Sequence, residues 1–237
     1  MKIHAAPQGT DEWLAARLGV PTSSQFSRIL SPAKLKPSAS AAGYAHDLLA
    51  EWLTGLQTDT ASSAFMQRGT DLEHRARDWY AVETDTEPVE VGLCLTDDGC
   101  VGASPDAMVG DDGLLEIKCP SAARHIGYLL DGPGNDYTMQ IQGQLWVTGR
   151  SWCDFLSYNP SIAPRIVRID ADPVVAVALS AALKSFVRRL QDAKDRLRGL
   201  GCVPACERAP MSRAQIEGIE RPPTIDEMMA LVGPRNT

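Results

Sequence analysis

The stretch "SPDAMVGDDGLLEIKCP", residues 104–120, places three charged side chains beside apolar residues that indicate a buried strand. Asp106 follows a proline, and Glu116 and Lys118 stand ten and twelve residues further on. Charged side chains in a buried strand need compensation. These three residues are therefore the first candidates for a functional site.

A hairpin that joins the two halves of this stretch would bring the three side chains together. Glu116 and Lys118 share one face of their strand because side chains alternate along a strand. Two carboxylates beside an ammonium suit a divalent cation such as Mg²⁺, which prefers oxygen ligands. The lysine could then orient the attacking water or stabilise charge on a phosphate. A buried Glu–Lys ion pair, or an exposed strand edge, is the structural alternative.

Two helical segments offer further polar candidates. Glu73 lies at the inner margin of the apolar face of a helix. A carboxylate that points toward the core would need a partner there; alternatively, the side chain extends past the edge of the core into solvent. Gln140 and Gln144 lie one helical turn apart on an otherwise apolar helix, with Gln142 between them. Gln142 and Gln144 are expected to form a solvated polar stripe.

Arg17 and Ser24 form a possible anion site. Arg17 precedes a glycine that ends one helix, and Ser24 stands at the start of the next predicted helix. Free N–H groups at a helix start and a nearby guanidinium favour phosphate. Ser24 could equally be only a helix cap.

The elements that position these residues follow from periodicity and from the cap residues. Helices are predicted over 10–18, 22–30, 41–55, 64–82, 137–148 and from Asp172 to about Gly199. A three-stranded meander with "DDG" turns is predicted over 88–120, and two strands over 153–159 and 165–170. The order indicates an α/β (α+β) fold, with a single domain over 1–200 and a tail over 201–237.

Composition limits the function classes. The chain has 237 residues and a net charge of −7, which by itself argues against a nucleic-acid partner unless basic groups are concentrated locally. No apolar run has the length of a membrane span, and the N-terminus lacks an apolar signal core, so a cytoplasmic protein without membrane contact is expected. The six cysteines are expected to be free thiols, with Cys202 and Cys206 a weak metal candidate and the histidines surface or core residues.

The Pro-Asp, spacer, Glu-x-Lys pattern resembles the PD-(D/E)xK nuclease superfamily. The segments "QGTDEWLAARLGVPTSSQF", "RGTDLEHRARDWY", "ASPDAMVGDDGLLEIKCP" and "YTMQIQGQLWVTGRSWCDFLSYNP" together resemble the phage lambda-type (viral alkaline) exonucleases over about residues 8–160. The resemblance implies a restriction-endonuclease-like core with a mixed central sheet flanked by helices.

The resemblance also implies roles for individual residues. Asp106, Glu116 and the backbone carbonyl of Ile117 would hold Mg²⁺, for which Mn²⁺ could substitute. Lys118 would position the attacking water and help to deprotonate it, with Glu73 and Gln140 in the same active site. Arg17 and Ser24 would hold the 5′ phosphate, and Met66 would be an apolar wedge that parts the strands, although Phe65 beside it is an equally suitable core residue.

The activity implied is a 5′-to-3′ exodeoxyribonuclease that digests one strand of duplex DNA and leaves 3′ overhangs. A ring-shaped homotrimer around the DNA and a single-strand annealing protein as partner are implied as well. The alternatives are a PD-(D/E)xK endonuclease and a non-catalytic DNA-end-binding module. The complete Asp106, Glu116 and Lys118 set argues against a decayed site.

Overall fold

The structure is a computed structural model that describes residues 1–58 and 64–207, with the side chains of 64–71 and of residue 136 left out. Its helices are α1 (Asp11–Arg17), α2 (Ala41–Thr54), α3 (Ala64–Thr84), α4 (Ala122–Asp131), α5 (Gly134–Thr148) and α6 (Pro173–Gly199), with 3₁₀ helices at Ser23–Arg28 and Ala205–Glu207. Its strands are β1 (Lys2–His4), β2 (Leu30–Ser31), β3 (Lys36–Pro37), β4 (Pro88–Val89), β5 (Leu93–Leu95), β6 (Gly102–Ala103), β7 (Ala107–Val109), β8 (Gly113–Lys118), β9 (Trp152–Asn159) and β10 (Ile162–Asp170).

The central sheet has five strands in the order β10-β9-β8-β7-β4. Strands β8 and β9 are parallel, and the other neighbouring pairs are antiparallel. A parallel pair needs a long crossover, which here contains α4 and α5. The sheet is therefore mixed and flanked by helices, which confirms the predicted fold class.

Helices cover both faces of the central sheet. Successive side chains of β8 point to opposite faces, so β8 packs against a different helix on each side. Leu115 packs in one cluster with Ala76 and Tyr80 of α3. Leu114 packs in another cluster with Ile141 and Leu145 of α5. Side chains two residues apart on a strand point to the same face. Glu116, two residues after Leu114, therefore also faces α5.

The predicted three-stranded meander over 88–120 is wrong in its pairing. Strands β5 and β6 form a separate sheet with β1, whereas β4, β7 and β8 belong to the central sheet. Gly92 permits the N-terminal segment with β1 to approach the chain just before β5 closely. An added Cβ at Gly92 would lie 2.6 Å from the Ala6 carbonyl oxygen. The pairing depends on a segment some ninety residues earlier in the chain, which local turn signals do not reveal.

Most helix boundaries agree with the predictions. Thr10 caps α1 by accepting from the Trp13 N–H at 3.3 Å, and Gly55 ends α2 in the left-handed conformation. Asp172 caps α6, with Pro173 at its first turn. The predicted helix over 22–30 is instead a 3₁₀ helix of six residues, Ser23–Arg28.

Helix α4 was not predicted, although Ser121 precedes a segment rich in helix-forming residues. Its His125 is a core residue: Nδ1 lies 2.6 Å from the Ser157 Oγ, and Nε2 lies 3.0 Å from the Ala163 carbonyl oxygen. These contacts fix α4 on β9 and β10.

The remaining helices form a second layer. Helices α2 and α6 pack together with the 3₁₀ helix Ser23–Arg28. Tyr44 of α2 stacks on Phe186 of α6 with ring centroids 5.7 Å apart. The six cysteines are free thiols. None of the described helices is both long enough and apolar enough to cross a membrane.

Candidate active site

Strands β7 and β8 form the hairpin that carries the central charged residues. Ala107 pairs with Leu115, so Asp106 lies just before β7 and opposite the end of β8. The Asp106 N–H donates to the Leu115 carbonyl at 3.1 Å, and the Asp106 Oδ2 accepts from the Ile117 N–H at 2.5 Å. The backbone of β8 thereby fixes the orientation of this carboxylate.

The Glu116 carboxylate is 1% exposed and accepts hydrogen bonds from three side chains. Gln140 Nε2 donates to Oε1 at 2.6 Å, and the Lys118 ammonium donates to the same oxygen. Gln144 Nε2 donates to Oε2 at 2.6 Å. The buried charge is compensated by one cation and two amides, as a buried carboxylate requires.

The electrostatics of the three charged groups are interdependent. Burial, together with repulsion from Glu116, raises the pKa of Asp106 well above its usual range, and Lys118 opposes this shift only in part. Burial alone would lower the pKa of Lys118, but the carboxylates of Glu116 and Asp106 raise it above its ordinary value. Lys118 is therefore an ammonium, and the paired carboxylates favour an additional positive charge beside them.

A cavity of about 170 Å³ lies in front of these residues. The predicted residues Arg17, Ser24, Asp106, Glu116, Lys118 and Gln140 line it, together with Gln8, Thr22, Ser23 and Ser104. The structure thus brings together six of the eight predicted side chains. The other two are Glu73, described below, and Met66, which lies outside the described side chains.

Arg17 and Ser24 are connected through Thr22. Arg17 Nη2 donates to the Thr22 Oγ1 at 3.3 Å, which in turn lies 3.5 Å from the Ser24 Oγ. The guanidinium lies 4.1 Å from the centre of the Trp13 ring, and burial lowers its pKa from the ordinary value. The helix that starts at Ser23 is a 3₁₀ helix of six residues, so any anion bound here would be held by side chains more than by a helix dipole.

Glu73 lies beside the site and outside the cavity wall. Its Oε1 accepts from Arg77 Nη2 at 3.1 Å, and Arg77 also pairs with Glu90. Burial raises the pKa of Glu73, and the charge of Glu116 adds to this shift. The charges of Arg77 and Lys118 oppose it. Glu73 is therefore close enough to act on the charges of the site, but Arg77 is its direct partner.

The expectation that Gln142 and Gln144 form a solvated stripe is wrong, because both side chains are buried. Gln142 joins α5 to the segment before α6, donating to the Asp170 carbonyl at 2.7 Å and accepting from the Asp172 N–H at 2.9 Å. Gln144 binds Glu116 directly. The one-turn spacing of Gln140 and Gln144 was the available signal.

Four further polar residues of the cavity were missed, among them Ser104 and Gln8. Ser104 has a buried Oγ without a hydrogen-bond partner among the described residues. Gln8 Nε2 donates to the carbonyl oxygens of Pro105 and Val91, at 2.8 and 3.0 Å, and so holds the segment just before Asp106. Both precede or follow a proline in a loop, where spacing carries no periodic signal.

The donor set is suited to a hard cation. Asp106 and Glu116 offer carboxylate oxygens, and the adjacent Ile117 offers a backbone carbonyl. Among the described residues, no three His, Cys, Asp or Glu side chains cluster as a complete metal site.

The mixed sheet and the Asp106/Glu116/Lys118 hairpin define a restriction-endonuclease-like protein of the PD-(D/E)xK class. A family model, the YqaJ-like viral recombinase domain, matches residues 12–151. The chain belongs to this family. No curated protein matches the chain.

Solved structures show the same relationship. The alkaline exonuclease LHK-Exo from Laribacter hongkongensis is 37% identical, with a TM-score of 0.73 over 81% of this chain and 98% of that chain. Its complex with dAMP matches equally well. A phage-related exonuclease from Haemophilus somnus 129PT is 12% identical with a TM-score of 0.54, over 83% and 97% of the two chains, and shows the fold alone. The resemblance to the lambda-type exonucleases is confirmed.

Proposed function

We propose that the protein is a Mg²⁺-dependent exodeoxyribonuclease that digests one strand of duplex DNA from its 5′ end and leaves 3′ overhangs for single-strand-annealing recombination. The observation that carries this proposal is the convergence of Asp106, Glu116, Lys118 and Gln140 with Arg17 and Ser24 on one cavity. The similarity to the alkaline exonuclease LHK-Exo supports it.

In this proposal, Asp106, Glu116 and the carbonyl of Ile117 hold the cation, with Mn²⁺ able to replace Mg²⁺. When bound, the cation supplies Lewis-acid stabilisation of the charge that develops on the scissile phosphate. Asp106 is oriented for this by the Ile117 N–H, and Glu116 by its three side-chain donors.

Lys118 enters the reaction as an ammonium, because the adjacent carboxylates raise its pKa. In that form it donates to the attacking water or to a phosphate oxygen and stabilises developing negative charge. Acceptance of the water proton by Lys118 would require the charge of Glu116 and Asp106 to be compensated first. Gln140 lines the cavity and holds Glu116, and Glu73 adds negative charge near the strand end.

Arg17 and Ser24 are the proposed contacts of the terminal 5′ phosphate. Both line the cavity that also contains the charged residues of the hairpin. A guanidinium and a hydroxyl group are suitable donors for phosphate oxygens. Met66 remains the proposed strand-parting wedge, outside the described side chains.

The proposed assembly is a homotrimeric ring through which duplex DNA passes, in the cytoplasm, with a single-strand annealing protein as partner. Such a ring would allow DNA binding by a chain of net charge −7, since basic groups need only line the channel. Residues 1–200 would form the nuclease domain and 201–237 a tail, of which 208–237 lie outside the described residues.

The deciding experiment is digestion of linear blunt duplex DNA labelled on one strand at either the 5′ or the 3′ end. Immediate release of 5′-labelled mononucleotide in Mg²⁺, with late loss of the 3′ label and no activity in EDTA, is expected. Covalently closed circular duplex is the control and should remain intact. Nicking of the circle would indicate an endonuclease, and end binding without cleavage would indicate a non-catalytic module.

A further inference from the structure

Gln144 has an unusual position for a polar residue of this site. It is fully buried on α5, and its Nε2 donates to the Glu116 Oε2 at 2.6 Å. It lies outside the wall of the cavity that Gln140 and Glu116 line. Any effect of Gln144 on DNA or on a cation must therefore pass through Glu116.

The donors are divided unequally between the two oxygens of Glu116. Among the described residues, Oε1 accepts from both Gln140 and Lys118, whereas Oε2 accepts from Gln144 alone. A carboxylate has about four lone-pair sites, two on each oxygen, so about one remains, and it is on Oε2. Gln144 therefore donates to Oε2, the oxygen of Glu116 that can still accept a further interaction.

The orientation of the Gln144 amide is fixed at a cost in stability. Its Oε1 is buried without a hydrogen-bond partner among the described residues. Rotating the amide by half a turn would place that oxygen against the Glu116 carboxylate, so the observed orientation is required. An apolar side chain of similar size would avoid the unsatisfied oxygen, which indicates that the amide serves Glu116 and not the stability of the core.

We propose that Gln144 is a positioning residue that orients the Glu116 carboxylate for the divalent cation, and thereby sets cation affinity and turnover without contributing to DNA binding. This inference rests on the proposed function, in which Glu116 is a ligand of that cation. Hydrogen-bonded partners of metal ligands generally contribute in this way, and their loss reduces metal affinity or activity by about 10- to 100-fold.

The test is Mn²⁺ titration by calorimetry on the DNA-free full chain. Gln144→Met keeps the side-chain length and removes the donor, so Mn²⁺ binding should weaken by about 10- to 100-fold. Gln142→Met is the matched control, since Gln142 is also buried on α5 but, in the part of the chain that the structure describes, bonds only backbone groups of Asp170 and Asp172. The control should lose stability and keep wild-type Mn²⁺ affinity.

Steady-state kinetics on blunt duplex should show a reduced kcat for Gln144→Met with KM for DNA unchanged. Wild-type Mn²⁺ affinity in folded Gln144→Met, or equal weakening in both variants, would overturn the inference. Gln144→Leu provides the same test if the methionine variant does not fold. If wild type binds Mn²⁺ without digesting DNA, the proposed function fails while the titration still decides the role of Gln144. If wild type does not bind Mn²⁺, both fail.

Discussion

Lys118 shows how a single residue acquires its chemistry from its neighbours. Its ammonium contacts Glu116 and lies 5.5 Å from the centre of the Tyr137 ring. Both contacts favour the charged form, and the side chain also lines the cavity. The residue is thus placed to act on a group that enters the cavity, with little to contribute to affinity for a long duplex.

Lys118→Met should leave duplex binding largely intact and lower the single-turnover cleavage rate by roughly 100- to 1000-fold, the scale of losing one transition-state donor. Both quantities are measured on the same preparation. Lys184→Met, on the exposed surface of α6, makes the same charge change as a control. Near-normal cleavage by the Lys118 variant would exclude its proposed role.

Arg17→Ala should slow digestion of 5′-phosphorylated ends by about 10- to 100-fold, because a charge-assisted hydrogen bond is worth about 1.5–3 kcal/mol. Ends that carry a 5′ hydroxyl cannot form that bond and should be slow already in wild type. Initial rates on both substrates at one fixed salt concentration provide the comparison. Equal slowing of both substrates would make Arg17 a structural residue or a general DNA contact.

At the residue level, the sequence predicted the hairpin triad better than its surroundings. Asp106, Glu116 and Lys118 were predictable because strand alternation and one short hairpin suffice to bring them together. For Gln144 the one-turn spacing from Gln140 was the available signal, but α5 carries buried residues on several sides, among them Met139, Ile141 and Leu145. A helical wheel then identifies no single inner face.

Among the elements, the contact between α5 and the 3₁₀ helix Ser23–Arg28 joins the two sides of the cavity. Gly143 of α5 permits this contact: an added Cβ would lie 2.8 Å from the Phe26 Cε2 and 3.1 Å from the Ser23 Cβ. Both neighbours are buried, so they have little room to move.

Gly143→Ala should therefore destabilise the protein by roughly 1–3 kcal/mol, the cost of overpacking a core. Gly127→Ala in α4 is the matched control, because its added Cβ would meet nothing within 4 Å. That control should gain up to about 1 kcal/mol from the better helix propensity of alanine. Urea unfolding of both variants measures the two effects, and shifts of the same sign would refute the packing argument.

Elements were predicted where their signals are local. Thr10, Gly55 and Asp172 mark helix ends through their own backbone and side-chain chemistry, and the structure agrees at each. The pairing of β5 with β1, which places β5 and β6 in a separate sheet, depends on a contact between segments distant in sequence. No local pattern specifies such a contact, so the predicted meander was wrong.

For the whole molecule, the proposed action on DNA requires an acidic chain to concentrate its basic groups. The net charge is −7. Arg17 and Lys118 line one cavity and Arg124 lines a second, and both cavities have Ser24 and Gln140 in their walls. A duplex bound at these cavities would meet these three groups of each protomer. Closure of several protomers around the duplex would increase the number of basic groups that face it.

The proposed trimer should have three times the 25.6 kDa mass of one chain. Size-exclusion chromatography with light scattering, at several protein concentrations, measures this mass directly. A mass of one chain at every concentration would contradict the ring. The Lys118→Met variant should have the same mass as wild type, because its partners Glu116 and Tyr137 belong to the same chain.

The parallel pairing of β8 with β9 also has a consequence for the time course of folding. Asp106 and Glu116 meet through a hairpin, which forms within about 1–10 μs, whereas β9 and the two glutamines of α5 join only after the long crossover has closed. Early in refolding, the two carboxylates therefore face each other without their amide partners. Mn²⁺ added at the start of refolding would relieve that repulsion and stabilise the hairpin, so refolding followed by stopped-flow fluorescence should be faster with Mn²⁺ in wild type, and equal rates in wild type and Glu116→Gln would contradict this.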